Sequence, residues 1–231
     1  MIVARHCAFL HLHKCGGSFV NELLLRELPG ARMLGYHLPR SRLPPDASAL
    51  PVLGIVRSPW SYYVSWFAFQ SARPRPNPLF QIASDHGRRD FAATVDCLLH
   101  LGEREREFDA LRAALPPDYV GRGLNLPAPA IEPLRGGTQG FFSFLFDYMF
   151  GPGAGSARIG RLERLGEALP ALLQDAGEAV TDRLREQLQH AAPRNRSAHA
   201  HYTRYYDDAL RQRVAQRDAV LIERFGYRFG D

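Results

Sequence analysis

The sequence predicts an α/β fold: a single domain over residues 1–231, with a central parallel sheet flanked by helices. Three observations predict it. The short apolar runs Ala8–His13 and Val52–Val56 have the length and composition of buried strands. Each run leads into a helical pattern, and strand and helix alternate again after Gly155. The length of 231 residues, with 45% hydrophobic and 23% charged side chains, suits one sizeable core and excludes wholesale disorder.

The elements follow in order. The stretch from Ile2 to Leu12 is a poor signal peptide, because His6, His11 and His13 interrupt the N-terminal run and no small-residue cleavage site follows, and it reads as a core strand. It runs into Lys14-Cys15-Gly16-Gly17. Phe19, Val20, Leu23, Leu24 and Leu28 then share one side of a helix that Pro29-Gly30 stops. Met33 to Ala49 is loop-like, with Pro39, Pro44 and Pro45, and Val52–Val56 is the second strand. Ser58-Pro59 starts a helix running to about Ser71, serine as a cap and proline at the first helical position.

Arg73 to Pro78 is a proline-rich break, and the helical faces between Asp90 and Leu115 look like core. The proline- and glycine-rich stretch within 121–140 is expected to form a mobile lid. Ala157–Leu162 reads as a strand, followed by a helix lined by Leu165, Ala168, Leu169, Leu172 and Leu173. Asp207 to Phe225 reads as one amphipathic helix, with Asp207 and Asp208 at its positive end.

Charge narrows the partners. The formal net charge is +5 and is carried by arginine, since Lys14 is the only lysine. Guanidinium forks suit phosphate and sulfate oxygens. No zinc finger, RNP sequence or dense basic helix is present, so a small polyanion is expected rather than nucleic acid. Cys7, Cys15 and Cys97 lack metal-ligand spacing, and their odd number points to a reducing, cytoplasmic setting. No apolar run reaches the roughly 20 residues of a membrane span, so no integral membrane association is expected. No metal requirement is expected either, because His199 and His201 have no carboxylate or cysteine at ligand spacing.

Two segments carry the chemistry. A strand followed by His13-Lys14-Cys15-Gly16-Gly17-Ser18-Phe19 and a helix is a P-loop-like, phosphate-binding strand–loop–helix. Glycines admit a ligand to the backbone, amide hydrogens point inward, and the helix N-terminus adds positive potential. Lysine precedes the glycines here, unlike the order G-x-x-x-x-G-K-[ST] of nucleoside triphosphate loops. The plainer alternative is a glycine turn beside a solvated lysine. The second segment, Arg57-Ser58-Pro59-Trp60-Ser61-Tyr62-Tyr63-Val64-Ser65, leaves a strand and enters a helix. At about 1.5 Å of rise per residue, Ser65 lies some 9 Å along the axis from Pro59, so one phosphate can be shared with Arg57. A surface ion pair for Arg57 and a neutral helix position for Ser65 are the alternatives.

Together these segments resemble the sulfotransferase superfamily, especially its carbohydrate and bacterial branch. There the first motif looks like H-I-P-K-T-G-G-T and the second like R-D-P-x-x-R-x-x-S. Here they stand as His11-Leu12-His13-Lys14-Cys15-Gly16-Gly17-Ser18 and Arg57 to Ser65. Weaker similarity runs through Ile159 to Leu165, Asn195-Arg196-Ser197, Tyr205 to Asp208 and Phe225 to Phe229, while about 73–155 matches little.

The resemblance implies transfer of a sulfuryl group from 3′-phosphoadenosine 5′-phosphosulfate (PAPS) to an acceptor hydroxyl by in-line displacement. It implies that Lys14, Cys15, Gly16, Gly17, Ser18 and Phe19 bind the 5′-phosphosulfate, that Arg57 and Ser65 bind the 3′-phosphate, and that Arg194, Arg196 and Ser197 close over the nucleotide. Lys14 would stabilise the departing oxygen. His37 is the first choice of base, because related carbohydrate enzymes place a histidine between the two motifs, and His11 and His13 compete for that role. The chain departs from the pattern at His13, Cys15 and Ser58, which stand where proline, a hydroxyl residue and an acidic residue are usual.

Two other classes compete. A nucleotide-dependent kinase needs a metal-holding acidic residue where Arg57 leaves its strand. A non-catalytic nucleotide-binding protein needs only the anion site. The acceptor, a hydroxylated small molecule, sugar or lipid, is not specified, because the aromatic run Phe141–Phe150 reads equally as pocket lining or core.

Overall fold

The computed structural model describes residues 1–190 and 199–231. Its sheet has five strands: β1 (Ile2–Val3), β2 (Ala8–Leu10), β3 (Arg32–Met33), β4 (Val52–Val56) and β5 (Arg158–Arg161). They are ordered β3-β1-β2-β4-β5. β4 runs parallel to β2 and β5, whereas β1 is antiparallel to β2 and β3. The sheet is therefore mixed, which corrects the expectation of a parallel one.

The cause lies in the N-terminal run. Ile2 to Leu12 is not one strand, because the chain reverses at the exposed pair Arg5-His6, where the Ala4 amide donates to the Cys7 carbonyl at 2.9 Å. So short a connection joins antiparallel neighbours only, since a parallel pair needs a crossover of about a dozen residues. β3 was expected as loop, being too short for any periodicity to register.

β4 is buried along its whole length, as a strand with a parallel neighbour on each side must be. Alternate pleats explain its packing. A Cβ on Gly54 would fall 2.3 Å from the Phe150 ring, and one on Gly160 would fall 2.8 Å from Ala168 Cβ. Glycine at these two positions lets an aromatic ring and a helix approach the sheet.

The described helices are α1 (Gly17–Glu27), α2 (Pro59–Ser71), α3 (Pro78–Ala83), α4 (Phe91–Leu99), α5 (Glu105–Ala114), α6 (Phe141–Phe150), α7 (Leu165–Asp175), α8 (Asp182–His190), α9 (Asp208–Arg217) and α10 (Ala219–Phe225). The chain divides into two compact units. One contains Met1–Arg57 and a segment beginning at Phe146, and the other contains Ser58–Leu145 and the C-terminal segment. The first unit is α/β, holding the whole sheet with α1, α7 and α8.

The second unit is helical. Its α2 spans the expected Pro59 to Ser71, with proline in the first turn. Within 121–140, the stretch expected as a lid, Ala128–Leu134 forms a 3₁₀-helix whose Ile131 and Leu134 are buried. The helix expected over 207–225 is two helices that break at Asp218. Asp218 is fully buried and accepts from Tyr63 Oη at 2.8 Å, Ser143 N at 2.9 Å and Ser143 Oγ at 2.6 Å. A buried carboxylate needs such donors, and turning Asp218 toward them interrupts the helix. Phe141, Phe142, Phe144, Phe146 and Phe150 are all buried, so core packing accounts for the aromatic run. No helix among the described residues is long and apolar enough to cross a membrane.

Candidate functional site

The site grows from the end of β2. Leu10 is the last strand residue and Gly17 the first of α1, so the turn between them is short. Lys14 (φ 57°) and Gly16 (φ 75°) both take left-handed backbone, an uncommon state for a lysine. No side chain caps α1 with a hydrogen bond, and no acidic residue occupies its first turn.

Packing also dictates the glycines. A Cβ on Gly17 would lie 1.8 Å from His11 Cδ2, and one on Gly16 would lie 2.7 Å from Leu162 Cδ1. Gly17 therefore makes room for the His11 ring under the first turn of α1. Ser18 is exposed at that turn, and Phe19 is half-buried.

Parallel pairing delivers the second cation. β2 and β4 run side by side in the same direction, so the chain leaves both from the same edge of the sheet. Lys14 follows one strand and Arg57 the other. Arg57 Nη1 donates to the Lys14 carbonyl oxygen at 3.0 Å. The Lys14 ammonium is pushed down to about 8, by burial first and then by the Arg57 charge. Cys15 is buried, its thiol pushed up to about 12 by burial, and its S–H donates to the His13 carbonyl at 3.3 Å. That thiol stays neutral, and its one proton is committed to the loop's own backbone.

Three histidines meet beside this turn. His37 takes left-handed backbone (φ 52°) and donates from Nδ1 to the His11 carbonyl at 2.8 Å. Its ring stacks on His13 with centroids 3.6 Å apart and planes 13° apart, and lies 4.4 Å from the His11 ring. Asn21 Nδ2 lies 3.1 Å from His11 Nδ1. Burial, the neighbouring cations and the N-terminal charge push His11 down to about 3. Burial and the charges of His13 and His11 hold His37 well below the usual imidazole range. Among the described residues no group of three or more His, Cys, Asp or Glu is placed to hold a metal ion. The half-exposed Tyr36 ring meets His11 edge-on at 5.9 Å.

Lys14, Cys15, Gly16, Gly17 and Arg57 are thus brought together in the first unit, with His37 stacked on the residue before Lys14. Ser65 is buried on α2 in the second unit. Arg194, Arg196 and Ser197 lie outside the described residues. The sequence did not reveal that the three imidazoles form one cluster. The spacing of His11 and His13 signals that those two share a side, but nothing local places His37 against them. Leu162 and Glu163 were also unforeseen at the turn, where Leu162 packs against Gly16 and the Glu163 charge acts on Cys15. No family model matches the chain, nor does any curated protein or solved structure.

Proposed function

We propose that the chain is a sulfotransferase that moves the sulfuryl group of PAPS to an acceptor hydroxyl. The observation that carries this reading is the contact between Arg57 and the Lys14 carbonyl. It brings the Arg57 guanidinium against the backbone of Lys14 at the start of a helix that no side chain caps, with the Arg57 charge close enough to push the Lys14 ammonium down, and an anion bound there would relieve that repulsion.

The alternation of left-handed Lys14 and Gly16 suits a backbone nest, whose amide hydrogens would hold the phosphosulfate. Arg57 would take the 3′-phosphate; its guanidinium carries five donors, and one bond to Lys14 fixes where it stands. The acceptor oxygen forms a bond to sulfur as the bond from sulfur to the bridging oxygen breaks. The electron pair goes to the 5′-phosphate of adenosine 3′,5′-bisphosphate. Lys14 stabilises that charge. His37 Nε2 receives the acceptor's proton, because Nδ1–H is already donated to His11.

Thermal unfolding with nucleotides tests the reading. Adenosine 3′,5′-bisphosphate is expected to raise the midpoint by mass action and ATP to raise it much less. Equal stabilisation by both would overturn it in favour of a kinase. Incubation with sulfate-labelled PAPS and phenol, sugar and lipid alcohols then identifies the acceptor class.

A further inference from the structure

The histidine cluster carries a consequence that goes beyond the choice of His37 as base, although its catalytic meaning rests on the sulfotransferase reading. Two imidazoles stacked face to face at 3.6 Å, with a third ring 4.4 Å from one of them, cannot all be charged. At such separations one positive ring strongly opposes a second, the more so where burial has removed water. The groups acting on His37 are His11 and His13 from the β2–α1 turn and the α-ammonium of Met1, which donates to the Gly35 carbonyl. Lys14 and His13 act in turn on His11. His11, His13 and Lys14 oppose a proton on the cluster when they are charged, and the Met1 amine, itself pushed down to about 5 by burial, does so only at acid pH. The His11 carbonyl, which accepts from His37 Nδ1 at 2.8 Å, favours it.

We infer that the three imidazoles titrate as one unit holding a single proton, and that His13 is the positioning residue that keeps His37 neutral with its Nε2 lone pair available. The stack limits rotation of the His37 ring, and the bond to the His11 carbonyl selects the Nδ1–H tautomer. A proton reaching either stacked ring withholds the next from its neighbour, so the midpoints belong to the cluster rather than to one ring. The left-handed backbone of His37 fits this role, because the stacked His13 ring and the bond to the His11 carbonyl hold the residue in an uncommon conformation.

Nitrogen-15 NMR of the histidine rings across pH, on the full chain without nucleotide, tests this directly. Neutral His37 is expected to carry its proton on Nδ1, and the cluster to take up one proton well before a second. His13→Phe keeps a flat ring in the stack but removes a proton site, and is expected to raise the His37 midpoint by about one pH unit. His13→Ala, which also admits water, is expected to raise it at least as much. An unmoved His37 midpoint in both variants, or an Nε2–H tautomer in the neutral wild-type ring, overturns the inference. Turnover of PAPS is a separate readout. If the sulfotransferase reading holds, the acid limb of kcat moves up in pH with the NMR midpoint in His13→Phe. If the NMR shift occurs in a protein that never turns over PAPS, the cluster stands and the sulfotransferase reading falls.

Discussion

Arg57 reaches across from the end of β4 to donate to the backbone carbonyl of Lys14, 43 residues earlier in the chain, at 3.0 Å. The bond ties together the two segments singled out in the sequence.

Arg57→Ala is expected to weaken binding of adenosine 3′,5′-bisphosphate by about 1.5–3 kcal/mol, the scale of a charged hydrogen bond. Nucleotides lacking the 3′-phosphate should lose less. Calorimetric titration of both ligands is the check, and equal losses would assign Arg57 to shaping the Lys14 turn alone.

If the chain is a sulfotransferase, Lys14 is expected to set the alkaline limit of its activity. Its ammonium, pushed down to about 8 by burial and by Arg57, loses its proton as pH rises through that value in the free protein. kcat/KM for PAPS should therefore fall above about pH 8. Lys14→Arg should move that limb to higher pH where activity survives, whereas Lys14→Ala should lower kcat by about a hundredfold or more. An alkaline limb unchanged in Lys14→Arg would remove Lys14 from the profile.

Stability should depend on pH through His11 and His37. His11 and His37 hold their protons less tightly folded than unfolded, so the unfolded chain binds more protons once pH drops below the ordinary value of 6.5. Their contribution is complete above pH 6.5 and is lost as pH falls toward 3. Asp218 acts oppositely: burial raises its carboxyl from 3.8 to about 6, so folding takes up a proton between those values. Two imidazoles against one carboxyl leave a net loss on acidification. Urea midpoints at pH 7 and pH 5 should show it, and His11→Phe should flatten the change if that variant folds. A midpoint higher at pH 5 would contradict this balance.

Tyr63→Phe removes one of the donors to Asp218 in the second unit and should cost about 1–3 kcal/mol. Asp218→Ala should cost more, because it strands the Tyr63 hydroxyl and both Ser143 donors in a buried place. Urea midpoints decide it, and an unchanged Tyr63→Phe value would show that water replaces the lost bond.

The sequence by itself determined what depends on neighbours along the chain. The apolar run Val52–Val56 is a strand because all five residues suit a site buried on both faces, and Pro59 opens α2 because its missing amide hydrogen costs nothing there. The strand–turn–helix around Lys14 was legible for the same reason. What the tertiary structure alone decided are relations between distant segments. The hairpin that makes the sheet mixed depends on how β1 pairs, and the break at Asp218 depends on Tyr63 and Ser143, both far away in sequence. The stacking of His37 on His13 depends on a loop that returns to β2 after α1 and β3. Local pattern specifies an element's type through backbone preference and burial period. Long-range packing chooses which side chains meet, because their contact energies are realised only once the chain has closed on itself.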